Sequence, residues 1–137
     1  MKRRKTVLIV DDSEFVRSYH SYMLEQARYD VITAVDGSEA LEKLYANDCD
    51  IVLTDINMTN MDGYEFIRRA RAEERFRAVP IIIVSTESEA RNKMKGFEVG
   101  ANLYLVKPCS PETMVENIRM IGDSGELDYY VGDNPYR

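Results

Sequence analysis

Asp11, Asp12, Asp55, Ser85 and Lys107 each stand at the end of a short apolar run, and that shared position is the first chemical signal in this 137-residue sequence. The runs are Thr6-Val7-Leu8-Ile9-Val10, Ile51-Val52-Leu53-Thr54, Ile81-Ile82-Ile83-Val84 and Leu103-Tyr104-Leu105-Val106. Apolar runs bounded by turn residues read as strands buried on both faces, as in an all-parallel sheet. Parallel strands bring their carboxyl ends to one edge, where ligands of such sheets bind, so three acids, a hydroxyl and a lysine are expected to converge. Crowded carboxylates either raise one another's pKa or recruit a cation, and an all-oxygen set suits Mg2+ with several retained waters. A carboxylate beside Mg2+ and an ammonium can attack a phosphoryl donor and form an aspartyl phosphate. Asp55 is the candidate nucleophile. Lys107 and Mg2+ would offset charge on the transferring oxygens, and Ser85 would hydrogen-bond them.

The elements that must position these groups alternate along the chain. After the first strand, Ser13 caps a helix from Glu14 to about Arg28, with Phe15, Val16, Tyr19, Met23, Leu24 and Ala27 expected inward. Val31–Val35 reads as a second strand, and Asp36-Gly37-Ser38 turns into a helix carrying Ala40, Leu41, Leu44 and Tyr45. The Asp55 strand leads through Asp62-Gly63 into a helix over about Tyr64–Glu74, with Phe66, Ile67 and Ala70 inward. Pro80 opens the fourth strand, followed by a mostly polar helix over about Ser88–Val99, with Met94 and Phe97 as anchors and Gly100 at its end. After the fifth strand, Ser110 and Pro111 start a last helix whose stripe is Met114, Val115, Ile118 and Ile121. Five strands alternating with five helices predict a doubly wound α/β sheet with helices on both faces.

Length suits one domain, read as 1–121, followed by a tail, 122–137, that is either a frayed end or a docking segment carrying Tyr129, Tyr130, Val131 and Tyr136. The net charge of −6 argues against a nucleic-acid footprint, which needs a basic face. The charged start Met1–Lys5 is followed by too short an apolar segment for a signal peptide, and nothing reads as a membrane span. Cys49 and Cys109 show no metal-ligand spacing, so a reduced, cytoplasmic setting with two free thiols is expected. His20, the one histidine, has no second ligand type nearby and is read as a packing or surface side chain.

The motifs Val-Asp11-Asp12-Ser, Thr-Asp55-Ile-Asn-Met with Met61-Asp62-Gly63, Val84-Ser85-Thr86 and Tyr104-Leu105-Val106-Lys107-Pro108 occur in this order, and together they are specific. Over about Lys5–Ile121 the chain resembles the receiver domain of two-component response regulators, especially stand-alone regulators of the chemotaxis type. The resemblance implies a flavodoxin-like strand order 2-1-3-4-5. It implies Asp55 as phosphoacceptor, and Asp11, Asp12, Asp55 and the Asn57 backbone carbonyl as Mg2+ ligands. By the same likeness Ser85 is the switch hydroxyl, Lys107 the site lysine, and Tyr104 the aromatic whose rotamer reports phosphorylation. A histidine kinase or phosphotransfer protein would supply the phosphoryl group. The altered face would span about Glu89–Ile121 and bind a downstream protein.

Three residues depart from the family's pattern: Thr59 where proline is common, Thr86 where alanine or glycine is frequent, and Cys109 where an aromatic usually follows Lys-Pro. A less preorganised Asp55 loop, hindered donor access and looser packing are the expected consequences. Competing readings are an Asp-nucleophile phosphatase or phosphotransferase on small molecules and an unphosphorylated scaffold. The first usually needs an acid/base two residues after the nucleophile, where this sequence has Asn57. The complete acid, hydroxyl and lysine set counts against the second. The sixteen residues after Ile121 are too few for an output domain, so output is expected through partner binding, with no enzyme activity beyond self-catalysed phosphotransfer and hydrolysis.

Overall fold

Alternation along the strands decides the layering. In the computed structural model, which describes residues 4–122, Leu8, Val10, Val52, Ile81 and Ile83 pack on one face of the sheet, and Val7, Ile9, Ile51, Leu53, Ile82 and Val84 on the other. The strands are β1 (Thr6–Val10), β2 (Asp30–Ala34), β3 (Ile51–Thr54), β4 (Ile81–Ser85) and β5 (Leu103–Val106). All pair in parallel, in the order β2-β1-β3-β4-β5. The helices are α1 (Glu14–Gln26), α2 (Gly37–Ala46), α3 (Gly63–Ala72), α4 (Ala90–Val99) and α5 (Pro111–Gly122), with a 3-10 turn at Glu74–Phe76. The expected doubly wound sheet and strand order are therefore present. Ala40 and Leu44 of α2 join Phe66, Ile67 and Ala70 of α3 on one face. Met23 and Leu24 of α1 join Met114, Ile118 and Ile121 of α5 on the other.

Local chemistry sets the element ends. The side chains of Ser13, Asp36, Asp62 and Ser110 accept the backbone N–H groups of Val16, Glu39, Glu65 and Thr113, each capping a helix start. Gly100 closes α4 at φ 119°, a left-handed conformation that favours glycine. Its carbonyl is also held by Arg71, whose guanidinium donates to Gly100 O at 3.0 Å, Phe76 O at 2.8 Å, Val79 O at 2.7 Å and Asn102 Oδ1 at 2.9 Å. One arginine thus ties the end of α3 to the entry of β4 and the end of α4.

Several helix expectations need correction. On α1, Phe15 is 78% and Tyr19 44% exposed, while His20, Met23 and Leu24 are buried. Two apolar stripes run along this helix, and periodicity alone cannot choose between them. The Ser13 cap and the Arg17 Nη1 bond to Asp11 O at 2.8 Å fix the phase that turns His20 inward. On α4, which begins at Ala90 and not Ser88, Met94 and Phe97 are exposed. The helix is seated instead through Gly96, where an added Cβ would lie 2.7 Å from Ile83 Cδ1 and 3.3 Å from the Tyr104 ring. Tyr45 is also exposed and packs edge-on against Phe76 at 5.1 Å. β2 begins one residue early and ends at Ala34, and α3 stops at Ala72 before the 3-10 turn. The tail expectation lies outside the described residues, apart from Gly122, which closes α5.

Candidate functional site

Register brings the acids together before any side chain is considered. Val10 of β1 pairs with Thr54 of β3, so the residues that follow, Asp11 and Asp55, leave neighbouring strands side by side. The Asp55 N–H donates to Val10 O at 2.9 Å, which holds this alignment past the strand end. Ser85 pairs with Val106 on the other side, and Lys107 N donates to Ser85 O at 2.8 Å. Lys107 then reaches back across the edge. Its ammonium donates to Asp11 Oδ2 at 2.9 Å and to Asp55 Oδ2 at 3.2 Å.

The remaining oxygens of both acids are also engaged. Asp11 Oδ1 accepts Ser13 N–H at 2.9 Å, and Asp55 Oδ1 accepts Ile56 N–H at 2.7 Å. Asp11 is buried, Asp55 is half-buried and Asp12 is exposed. One buried and one half-buried carboxylate share one ammonium, so the group carries a formal charge of −1. Burial pushes the Asp55 carboxyl above the usual carboxylate range; Lys107 and the Ile56 N–H oppose that, and Asp11 adds to it. Burial alone would lower the Lys107 pKa, yet its bond to Asp11 and the charges of Asp55 and Asp11 raise it. The two directions agree once Asp11 is seen as the stronger partner of the lysine, which leaves Asp55 under-compensated.

That deficit is the test of fit for a divalent cation. Among the described residues no three His, Cys, Asp or Glu side chains are grouped to hold a metal by themselves. Mg2+ does not require such a cage, since it is commonly held through one or two carboxylates plus waters and phosphate oxygens. Hard oxygen donors with an unbalanced negative charge fit it. Asp11 and Asp55 would be its carboxylates, with Asp12 and the Asn57 carbonyl beside them.

The loop behind Asp55 is built for close approach. A Cβ on Gly63 would lie 2.1 Å from Asp55 O and 2.9 Å from Ile56 Cα, so only glycine lets α3 begin against the loop. Asn60, at φ 65°, donates to Asp36 Oδ2 at 2.8 Å, and Gly37 N donates to Met61 O at 3.1 Å. These contacts with the start of α2 order a loop that carries Thr59 in place of proline. The Asp-Gly pair at 36–37 is the sequence signal that could have pointed to them.

The switch candidates form one connected chain. Ser85, fully buried, accepts Glu87 N–H on its Oγ at 3.1 Å, and Glu87 O accepts the Tyr104 hydroxyl at 2.7 Å. The Glu87 carboxylate accepts Asn57 Nδ2 at 3.2 Å across the mouth of the site. Tyr104 is half-buried, its ring over Gly96. Asp11, Asp55 and Lys107 thus meet directly, Ser85 joins through the Lys107 backbone, and Tyr104 joins through Glu87. On the far side of Lys107, His20 lies under the Lys107–Cys109 turn, a placement the sequence reading did not anticipate.

Comparison with known proteins agrees with this geometry. Residues 7–119 match the family model described as the response regulator receiver domain. The chain is 37% identical over 117 residues to the chemotaxis protein CheY1 of Helicobacter pylori, a match covering 84% of this chain and 94% of that protein. It is 34% identical over 113 residues to protein PilG of Pseudomonas aeruginosa, covering 82% and 84%. The crystallised chemotaxis protein CheY4 of Vibrio cholerae superposes with a TM-score of 0.82 at 38% identity, over 85% of this chain and 98% of that one. A parallel sheet in the order 2-1-3-4-5, two acids and a lysine joined at its carboxyl edge, and these matches together place the chain in the response regulator receiver domain family.

Proposed function

We propose that this chain is a phosphorylation-controlled binding module in which Asp55 is the phosphoacceptor. The observation that carries the reading is the Lys107 ammonium poised 3.2 Å from Asp55 Oδ2 while anchored at 2.9 Å on Asp11 Oδ2. Asp55 attacks the phosphorus of a phosphohistidine on a histidine kinase or phosphotransfer protein; the new O–P bond forms as the donor's N–P bond breaks, and the leaving imidazole takes up a proton. Asp11, Asp12, Asp55 and the Asn57 carbonyl would hold Mg2+, which supplies charge neutralisation to the transferring oxygens when bound. Lys107 orients Asp55 and stabilises the arriving phosphoryl oxygens as a compact charge.

The switch follows from the hydrogen-bond chain. A phosphoryl oxygen that accepts the Ser85 O–H draws Oγ inward together with the Glu87 N–H it accepts, and the Glu87 carbonyl that anchors Tyr104 shifts with it. A local charge event then alters the face built by α4, β5 and α5, around Glu89–Ile121. Exposed Met94 and Phe97 on α4 supply apolar anchors for a downstream protein. No helix among the described residues is long and apolar enough to cross a membrane. The reading places the protein in the cytoplasm, acting on proteins and not on nucleic acid. Its chemistry is confined to its own phosphorylation and hydrolysis, and the domain ends near Ile121.

Intact mass after incubation with Mg2+ and a small phosphodonor tests the proposal. One added phosphoryl group in the wild type, absent with chelator and absent in Asp55→Asn, is the expected result. Addition that persists in Asp55→Asn would refute the acceptor assignment.

A further inference from the structure

The other side of Lys107 opens on a cleft of about 370 Å3 between α1 and the turn after β5. Val16, Tyr19, Pro108 and Cys109 give it apolar walls, and Thr86 and His20 add polar atoms. Cys109 is small at a position where a larger side chain would fill this space. His20 is only 7% exposed, and its ring makes no hydrogen bond to any described residue. No fully buried side-chain nitrogen in the described part lacks a partner, so the His20 nitrogens reach the open cleft. With its nitrogens open to the cleft, the imidazole can exchange water for a hydroxyl that an occupant supplies.

We propose that this cleft is a seat for a phenol ring, and that Tyr129 or Tyr130 of the chain's own C-terminal segment supplies it, with His20 meeting the phenol hydroxyl. Two observations select that occupant. The first is reach. α5 has 12 residues, so its end at Gly122 lies about 18 Å along the helix from the cleft side. Tyr129 follows Gly122 by seven residues, which extend to about 23 Å. The second is a track. Gly122 O is held by Lys5 at the opposite edge of the sheet, where α1 ends, and α1 presents Tyr22, Tyr19 and Phe15 to solvent from that end back towards the cleft. Phe15 and Tyr19 stack with ring centroids 6.4 Å apart, giving an apolar stripe with no cover among the described residues.

Burial lowers the His20 pKa to about 4, with Lys107 adding to the effect and Asp11 opposing it, so the ring is neutral near pH 7. A neutral imidazole offers one N–H and one lone pair, and a phenol hydroxyl can use either. The docked ring would cover Cys109.

The test uses the full chain carrying Cys49→Ser, so that Cys109 is the only thiol, and reads its rate of modification by N-ethylmaleimide. Tyr129→Ala/Tyr130→Ala is expected to speed modification about tenfold, because reactivity follows the population of the open cleft. Equal rates in the two chains would overturn the proposal. Protection that rises with protein concentration would also overturn it, by assigning the cleft to a second copy. In Tyr129→Phe/Tyr130→Phe, the His20 ring nitrogen resonances are expected to shift; unchanged resonances would remove the hydroxyl contact. None of these readouts requires phosphorylation, so the proposal and the phosphoacceptor reading fail separately.

Discussion

On the Asp55 side of Lys107 the polar atoms of both acids are engaged, yet the charges do not cancel. On the His20 side there is little charge to balance, yet no described residue hydrogen-bonds the imidazole, whose nitrogens open on the cleft, and aromatic rings face water. Both regions are incomplete, in different currencies. The first lacks positive charge, which a divalent cation would supply. The second lacks covering surface and, among the described residues, a hydrogen-bond partner for its imidazole, both of which an aromatic side chain with a hydroxyl would supply. The proposed reactivity thus belongs where charge is unbalanced inside a hydrogen-bonded frame, and the proposed docking where polar and apolar surface is left uncovered.

The sharpest way to break the frame on the Asp55 side is Gly63→Ala. Its Cβ would meet the backbone of Asp55 and Ile56 at 2.1 and 2.9 Å, so unfolding free energy is expected to fall by about 3 kcal/mol in urea titration. A loss below about 1 kcal/mol would mean that the loop is not held as tightly as the contacts indicate. Lys107→Ala removes the charge and leaves the frame. Phosphoryl addition should slow by about 100-fold, and Lys107→Arg should not restore it, because a planar fork cannot satisfy both carboxylates in the same space.

His20 gives the corresponding test on the cleft side. Its folded pKa of about 4 lies below the unfolded value of 6.5, so the unfolded chain binds the proton first as pH falls. Stability is therefore lost between pH 6.5 and pH 4, by about 1–2 kcal/mol at pH 5 once partial access to water is allowed for. His20→Leu should remove that part of the acid-side slope in denaturant titrations at pH 8 and pH 5. Asp55 has the opposite sign: its raised pKa means that falling pH relieves the cost of its charge, so it cannot account for a loss of stability on the same side. The smallest effect belongs to Thr86, exposed on the border between the two regions. Thr86→Ala is expected to speed phosphorylation by a small donor by roughly threefold, on the order of 0.6 kcal/mol. A slower rate would show that its hydroxyl helps to order the mouth of the site.

What the sequence disclosed follows the same division. Asp11, Asp55, Ser85 and Lys107 could be placed because parallel register carries strand ends to one edge whatever the helices do. Helix phase was less accessible. Phe15 and Tyr19 share α1 with His20, Met23 and Leu24, and both stripes have helical spacing; the cap and the Arg17 anchor choose between them only in three dimensions. Met94 and Phe97 suggested anchors for α4 because they are its largest apolar residues, whereas the contact is made by the smallest, Gly96. Arg71 reads as an ordinary surface residue of a helix, since nothing nearby in sequence shows that its partners, Gly100 and Asn102, will lie beside it.

The central claim is that the under-compensated carboxylate of Asp55 takes the phosphoryl group. Borohydride reduces an acyl phosphate to an alcohol, so treatment of the phosphorylated chain followed by peptide mass mapping marks the acceptor as homoserine. Homoserine at position 55 and at no other acid is the predicted result. Homoserine at Asp11 or Asp12, or a phosphorylated chain that yields none, would contradict the account.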